Sequence, residues 1–171
     1  SHGNGLCFQT ALPHEPGVLA DTFRNMMRWR AGTILIGEMR DEESATELLK
    51  ASFNGYLVIT TMLAEDVVQT VMRLHALLNE KLGPGNARAL LADGLLGVLH
   101  QQMVRGAKHA PRLETEFLFL KDAPATRAVL RKGEFELLTT EIRKQMAARI
   151  AESASRTGGV RVEDGGRKCG V

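Results

Sequence analysis

The chain has 171 residues, 44% of them hydrophobic, which is enough for one domain with a core of its own. Lysine and arginine number 22 against 20 acidic residues, so the overall charge favours neither nucleic acid nor an anionic membrane as partner. Cys7 and Cys169 form no CxxC pair, which excludes a disulfide scaffold and a cysteine zinc site and favours a reducing cytoplasm. No apolar run reaches the roughly 20 residues of a membrane span, which excludes a transmembrane protein.

The N-terminal segment is predicted to contain one strand and one loop. Residues 1–3 have the sequence Ser-His-Gly, which is typical of the scar left by a cleaved tag, with a short loop as the alternative. Residues 4–12 mix apolar and small polar side chains and predict a strand. This strand is expected to end at the Pro-His-Glu-Pro-Gly cluster of residues 13–17.

Two strand and helix units follow a first helix, which the apolar spacing predicts over residues 18–30. Residues 33–37 and 56–61 are apolar runs without alternation, so we expect strands covered on both faces. Helices are predicted over residues 44–54 and 65–79. The second is expected to turn these side chains inward: Val67, Val68, Val71, Met72, His75 and Leu78. This order predicts a parallel strand–helix–strand unit.

The second half of the chain is predicted to mix helices and strands. A helical face near residues 90–98 is expected to turn into a strand around 98–104, and residues 114–120 predict another strand. Residues 125–131 and 135–150 have the spacing of two final helices. From Ser153 onward the chain is rich in glycine and charge, so we expect disorder.

Glu38 follows the first apolar strand, with Arg40 and Asp41 close behind it. Functional groups of open parallel sheets collect beyond the carboxyl ends of the strands. A carboxylate there can orient or deprotonate a water against a terminal phosphate, or bind the water shell of Mg²⁺. Spacing alone leaves a second interpretation open, because Glu-x-Arg-Asp after a strand is commonly a solvated helix N-terminus.

The sequence Ile-Leu-Ile-Gly-Glu-Met-Arg-Asp at residues 34–41 resembles the Walker B segment of the type II and type IV secretion and pilus-retraction ATPases. The resemblance extends over residues 8–150. It includes the helix with Arg24 and Arg28, the strand that ends in Thr61 and the stretch 90–102.

This resemblance implies an α/β fold, a partial RecA-like P-loop NTPase core in which helices flank a parallel-rich sheet. Residues 4–122 would be the C-terminal part of this core, 123–152 a C-terminal helical region and 153–171 a disordered tail.

The resemblance also implies roles for named residues. Glu38 would be the catalytic glutamate, acting on the metal only through its water shell, and no residue would bind a metal directly. Arg73 and Arg28 are candidates for arginines that face phosphate across a subunit boundary, with surface ion pairs as the alternative. The other nucleotide-site candidates are Arg40, Asp41, Thr61 and Glu15. Glu15 could assist magnesium, although a solvated loop carboxylate is the alternative.

The family resemblance further implies ATP and Mg²⁺ as cofactors of the full-length protein and a hexameric ring of identical subunits. The ring would work with secretion or pilus machinery at the cytoplasmic face of the inner membrane. A basic patch formed by Arg105, Lys108, Arg112 and Lys121 lacks interleaved aromatic residues, so we expect no direct binding to nucleic acid. The histidines show no spacing typical of a metal site.

Two departures from the family pattern bear on activity. Tyr56 and Leu63 occupy the positions where the family has histidines, and leucine cannot relay charge. The sequence also contains no GxxxxGK followed by Ser or Thr, the loop whose amides cradle phosphates.

We therefore expect no ATP bound to this chain alone, and we expect the first part of the ATPase core to lie outside it, with evolutionary deletion as the alternative. Two hypotheses remain open: a fragment of an ATP-driven motor, and a non-catalytic assembly module.

Overall fold

A computed structural model describes residues 7, 9, 11, 18–29, 32–105 and 110–157. Most of the strand predicted over residues 4–12 lies outside the described residues, and so do the loop with Glu15 and the basic side chain Lys108. None of the helices in the described ranges is both long and apolar enough to cross a bilayer.

The first half of the fold is a parallel strand–helix–strand unit. Helix α1 (Val18–Met26) continues into a 3₁₀ turn (Met27–Trp29), and β1 (Thr33–Ile36), α2 (Glu42–Phe53), β2 (Leu57–Thr60) and α3 (Val67–Leu82) follow. Strands β1 and β2 pair in parallel, with Thr33 opposite Leu57 and Ile36 opposite Thr60. The predicted parallel unit is therefore confirmed.

The second half contains α4 (Pro84–Gly94), β3 (Gly97–Val104), β4 (Arg112–Phe119), α5 (Pro124–Lys132) and α6 (Leu138–Thr157). Strands β3 and β4 pair antiparallel in a sheet of their own. Helix α6 continues to Thr157, past Ser153, the residue from which the sequence predicts disorder. A helix already formed gains one hydrogen bond for each residue it adds, so it extends without bulky apolar side chains.

Helix α3 separates two apolar cores. Leu74 and Leu78 of α3 pack with α1, β1, α2 and α4, whereas Val67 and Val71 pack with β4, α5 and α6. The second core consists of these buried residues: Val67, Val71, Ala92, Leu118, Leu120, Leu130, Leu138 and Ile142. The C-terminal helices thus share a core with α3 and β4.

The sheet formed by β1 and β2 has one buried and one exposed face. Ile34 and Ile36 are buried, but Leu35 is 74% exposed and Ile59 is 47% exposed. The prediction that both faces are covered is wrong for the described residues. Apolar composition indicates a tendency to be buried, but it does not identify the layer that covers the strand.

Met72 and His75 of α3, both predicted to face inward, differ in how far they are buried. Met72 is 43% exposed, so its prediction was wrong, and Leu74 is buried instead. His75 is half-buried with its ring centroid 5.0 Å from that of Phe135. Burial lowers the pKa of His75, and the charge of Arg88 contributes in the same direction.

Helix α6 attaches to the outer edge of β4 through one side-chain amide. Gln145 Oε1 accepts a hydrogen bond from the Phe119 amide at 2.8 Å, and Gln145 Nε2 donates to the Phe119 carbonyl at 2.9 Å. Arg149, one turn further along α6, lies over the rings of Phe117 and Phe119 at 5.0 and 4.8 Å from their centroids.

Candidate active site

The carboxyl ends of β1 and β2 meet at one edge of the sheet, and Glu38 lies there. The Thr61 hydroxyl, just past β2, donates to the Gly37 carbonyl, and the Met39 amide donates back to the Thr61 carbonyl at 3.0 Å. These two bonds join the chain segments immediately beyond the strands. The structure therefore brings Glu38 and Thr61 to the same edge, which we call the strand-end edge (residues 37–39 and 61).

Glu38 forms an ion pair at the strand-end edge. Arg40 Nη2 donates to Glu38 Oε2 at 2.7 Å, and the two side chains are 62% and 32% exposed. The hydrogen bond to Glu38 raises the pKa of Arg40. Because both groups remain in contact with solvent, the pair is weak enough for the carboxylate to change partners. The ion pair with Arg40 is therefore only a small barrier to contact between Glu38 and a water molecule.

Asp41 caps helix α2. One carboxylate oxygen accepts from the Ser44 amide at 2.8 Å and the other accepts from the Ser44 hydroxyl at 2.8 Å. Its backbone is extended, as an N-cap requires. For Asp41, this capping role agrees with the second interpretation of the Glu-x-Arg-Asp sequence, a helix N-terminus. Asp41 thus fixes the start of α2 against the strand-end edge, and its assignment to a nucleotide site stays a prediction.

We expect Asp41→Ala to lower the free energy of unfolding by about 1 kcal/mol, because the Ser44 amide loses its acceptor. Asp41→Asn is the matched control, since asparagine removes the charge and keeps a capping oxygen. The midpoints of urea unfolding measure both changes. Equal losses in the two variants would show that charge, and not the cap, is what stabilises α2.

Arg73 lies beside the loop that follows β2, residues 61–66, which we call the β2–α3 loop. Its Nη1 donates to the carbonyl of Leu63 at 2.8 Å. A groove of about 410 Å³ is lined by Leu63, Ala64, Glu65, Gln69 and Arg73. A guanidinium has several N–H donors, so this bond leaves others for a ligand. The structure thus places Arg73 at the same end of β2 as Glu38.

Arg28 lies elsewhere. It is exposed on the 3₁₀ turn after α1. The neighbouring Met27 carbonyl accepts a hydrogen bond from the Tyr56 hydroxyl at 2.6 Å, at the amino end of β2. At about 3.3 Å per residue, the two ends of this four-residue strand are on the order of 10 Å apart. The structure does not bring Arg28 to Glu38.

Tyr56 and Leu63, the two positions expected to hold histidines, lie at opposite ends of β2. Tyr56 ties the amino end of the strand to the 3₁₀ turn. Leu63 lies past the carboxyl end and is 72% exposed. Of these two positions, 63 is therefore near the strand-end edge and 56 is at the other end of β2.

The sequence did not indicate two residues that hold the β2–α3 loop from the second sheet. Glu116 of β4 accepts from the Val67 amide at 2.9 Å, and His100 of β3 lies 3.2 Å from the Ala64 carbonyl oxygen. The only signal was the alternation of charged and apolar residues in the predicted strand, which indicates a face but no partner.

The residues present fit a metal held through water better than a metal held directly. Within the described ranges, no three His, Cys, Asp or Glu side chains cluster in a way that could hold a metal ion. Mg²⁺ commonly keeps several waters and binds through one or two carboxylates and substrate phosphates. The single carboxylate of Glu38 is suited to that outer contact. Glu15 lies outside the described residues.

Comparison with known proteins gives consistent results. The family described as "Type II/IV secretion system protein" matches residues 13–129. The type IV pilus assembly ATPase TfpB of Acinetobacter baylyi is 37% identical over 50% of this chain and 14% of its own length. The type IV pilus assembly ATPase PilB of Thermus thermophilus is 31% identical over 81% of this chain and 14% of its own.

Among solved structures, the Legionella pneumophila ATPase DotB superposes with a TM-score of 0.61 and 25% identity, covering 74% of this chain and 33% of that one. This likeness confirms the predicted α/β, RecA-like fold class. The chain spans a small part of the lengths of the curated relatives, 14% in each of the two named above. Because the family match covers most of the chain, this protein belongs to the type II/IV secretion system protein family.

Proposed function

We propose that the chain is the C-terminal part of the catalytic domain of an ATPase that powers macromolecule transport or pilus dynamics. Residues 4–122 would complete the ATPase core and residues 123–152 would form its helical region. The observation that supports this most is the position of Glu38, half-buried past β1 at the edge where two parallel strands end. The names of the relatives, pilus assembly ATPases, agree with this function.

In this proposal Glu38 polarises the water that attacks the terminal phosphate. The carboxylate leaves Arg40 and accepts a hydrogen bond from the water, which raises the nucleophilicity of the water oxygen. When bound, Mg²⁺ neutralises the charge that develops on the phosphate oxygens. Thr61 holds Gly37, the residue before Glu38, so it orients the carboxylate. Arg73 is the described arginine best placed to reach a phosphate near the β2–α3 loop.

The intact protein would act as a ring of identical subunits, a hexamer by family resemblance. It would work in the cytoplasm, against secretion or pilus machinery at the inner membrane, with ATP and Mg²⁺ as cofactors. Direct nucleic-acid binding is not part of the proposal. Arg40 and Arg112 each pair with a glutamate of their own segment, which lowers the positive charge they offer to a phosphate backbone.

A second candidate is a non-catalytic assembly module of the same machines. Leu63 favours it, because an exposed leucine stands at the strand-end edge where the family has a charge-relaying histidine. The Glu38–Arg40 pair favours it too, because it gives the carboxylate a structural partner within its own segment.

Calorimetry with ATP and Mg²⁺ tests the proposal. We expect this chain alone to show no saturable micromolar binding, because its sequence has no phosphate-cradling loop. We expect the intact protein to bind ATP and to release phosphate in a steady-state assay. Binding without turnover in the intact protein would favour the assembly module. Saturable micromolar binding by this chain alone would contradict the argument from the missing loop.

A further inference from the structure

The β2–α3 loop is held at both of its ends. At the start, Thr61 is bonded to the strand-end edge through the Gly37 carbonyl and the Met39 amide. Towards the other end, the second sheet contacts the Ala64 carbonyl within the loop and the amide of Val67, the first residue of α3. Few residues separate these anchors. A displacement at one end of the loop is therefore transmitted to the other end.

The far anchors come from one cross-strand pair. His100 of β3 and Glu116 of β4 lie directly opposite each other in the antiparallel register. Alternation along β4 places Leu118 on the same face as Glu116, and Leu118 is fully buried in the core that includes Val67 and Val71 of α3. The β3–β4 hairpin thus packs on α3 through apolar side chains. His100 and Glu116 contact the chain at the start of α3.

The two contacts are chemically complementary to the loop backbone. The Val67 amide belongs to the first turn of α3, whose N–H groups have no acceptor within the helix, and the Glu116 carboxylate supplies one at 2.9 Å. The Ala64 carbonyl can only accept, so the contact with His100 requires a proton on Nε2. Asp66 accepts from the amide of Gln69, two residues after Val67, at 2.6 Å. The pair therefore contributes one acceptor and one donor.

We infer that His100 and Glu116 form a clamp on the β2–α3 loop, and that through this loop the β3–β4 hairpin positions the strand-end edge that includes Glu38. The two are positioning residues, acting on the edge through Thr61. The clamp itself stands on the contacts described above. Calling the edge it positions an active site rests on the proposed function.

Amide hydrogen exchange on this chain, followed by NMR, tests the clamp without nucleotide. The Val67 amide reports on the clamp and the Met39 amide on the strand-end edge. We expect Glu116→Ala to speed exchange of the Val67 amide about tenfold, the effect of losing one charge-assisted hydrogen bond. We expect the Met39 amide to exchange about threefold faster, since only part of the loosening reaches it. Glu116→Gln keeps an acceptor oxygen and should restore protection at both amides.

Glu114→Ala is the matched control. Glu114 lies on the same strand and face as Glu116 but pairs with Arg112, so neither amide should change. Unchanged exchange at Val67 in Glu116→Ala would overturn the clamp. Faster exchange at Val67 with an unchanged Met39 amide would overturn the link to the strand-end edge.

His100→Phe gives a second, independent test, and it serves if Glu116→Ala does not fold. Phenylalanine keeps a ring and loses the donor to Ala64, so the Met39 amide should again exchange faster. An unchanged Met39 amide in this variant would also overturn the link. None of these measurements involves ATP. A negative result for the clamp would therefore not contradict the proposed function. An intact protein without ATPase activity would not contradict the clamp.

Discussion

Replacement of Glu38 by glutamine in the intact protein is expected to lower ATP turnover by about 10²–10⁴-fold, the usual contribution of a general base. Glutamine has nearly the same shape but cannot accept a proton from water. The affinity for ATP should stay close to that of the unmodified protein, because Glu38 would act on the water and not on the nucleotide. Steady-state phosphate release gives kcat and calorimetry gives Kd.

Glu42→Gln is the matched control for this variant. Glu42 is an exposed acid in the first turn of α2, close in sequence to Glu38, and the chemical change is the same. Its turnover should equal that of the unmodified protein. If Glu38→Gln turned over as fast as this control, Glu38 would have no part in hydrolysis and the assembly module would become the better proposal.

Replacement of Arg127 by alanine is expected to lower the free energy of unfolding by about 1–3 kcal/mol. Arg127 of α5 donates through Nε to the Leu120 carbonyl at 3.0 Å and through Nη1 to the Ala92 carbonyl. Both acceptors belong to fully buried residues. Ala92 lies in the last turn of α4, where carbonyls have no partner within the helix. The substitution removes the donor to the Ala92 carbonyl and one of two donors to the Leu120 carbonyl, which keeps the Ala123 amide at 3.3 Å. Urea unfolding measures the loss.

Arg131→Ala, on the same helix, separates this effect from a loss of charge. Arg131 pairs with Asp93, and the two side chains are 53% and 42% exposed. An exposed ion pair contributes roughly 0–1 kcal/mol, so this variant should lose much less stability than Arg127→Ala. Equal losses in the two variants would mean that general charge on α5, and not the two carbonyl contacts, stabilises the packing of α5 against α4 and β4.

Local sequence patterns predicted most helices and strands, because the spacing of apolar residues follows the geometry of the backbone. The spacing of apolar residues in α3 follows the helical period, and the Asn54-Gly55 sequence after α2 supplies the C-cap and a positive φ of 85° at Gly55. The position of Glu38 was predictable for the same reason. A residue that directly follows a parallel strand has to lie at the edge where the strand ends.

Contacts between distant segments were not predictable from one sequence. Glu116 and Val67 are 49 residues apart, and nothing in the local pattern of either relates them. The pairing of Tyr56 with Met27, which keeps Arg28 at the far end of β2, is of the same kind. The exposure of Leu35 was not predictable from its apolar side chain alone. Whether a strand residue is buried depends on which other elements pack against that face of the sheet.

The amide of Gln145 has a consequence for self-association. An unpaired strand edge offers alternating donors and acceptors that another chain can copy, which is how edge strands seed aggregates. At Phe119 both backbone groups are already occupied, since Gln145 imitates the hydrogen bonding of a neighbouring strand with its side chain alone. The hairpin therefore cannot recruit a foreign strand at that position, and α6 acts there as a built-in guard against sheet growth.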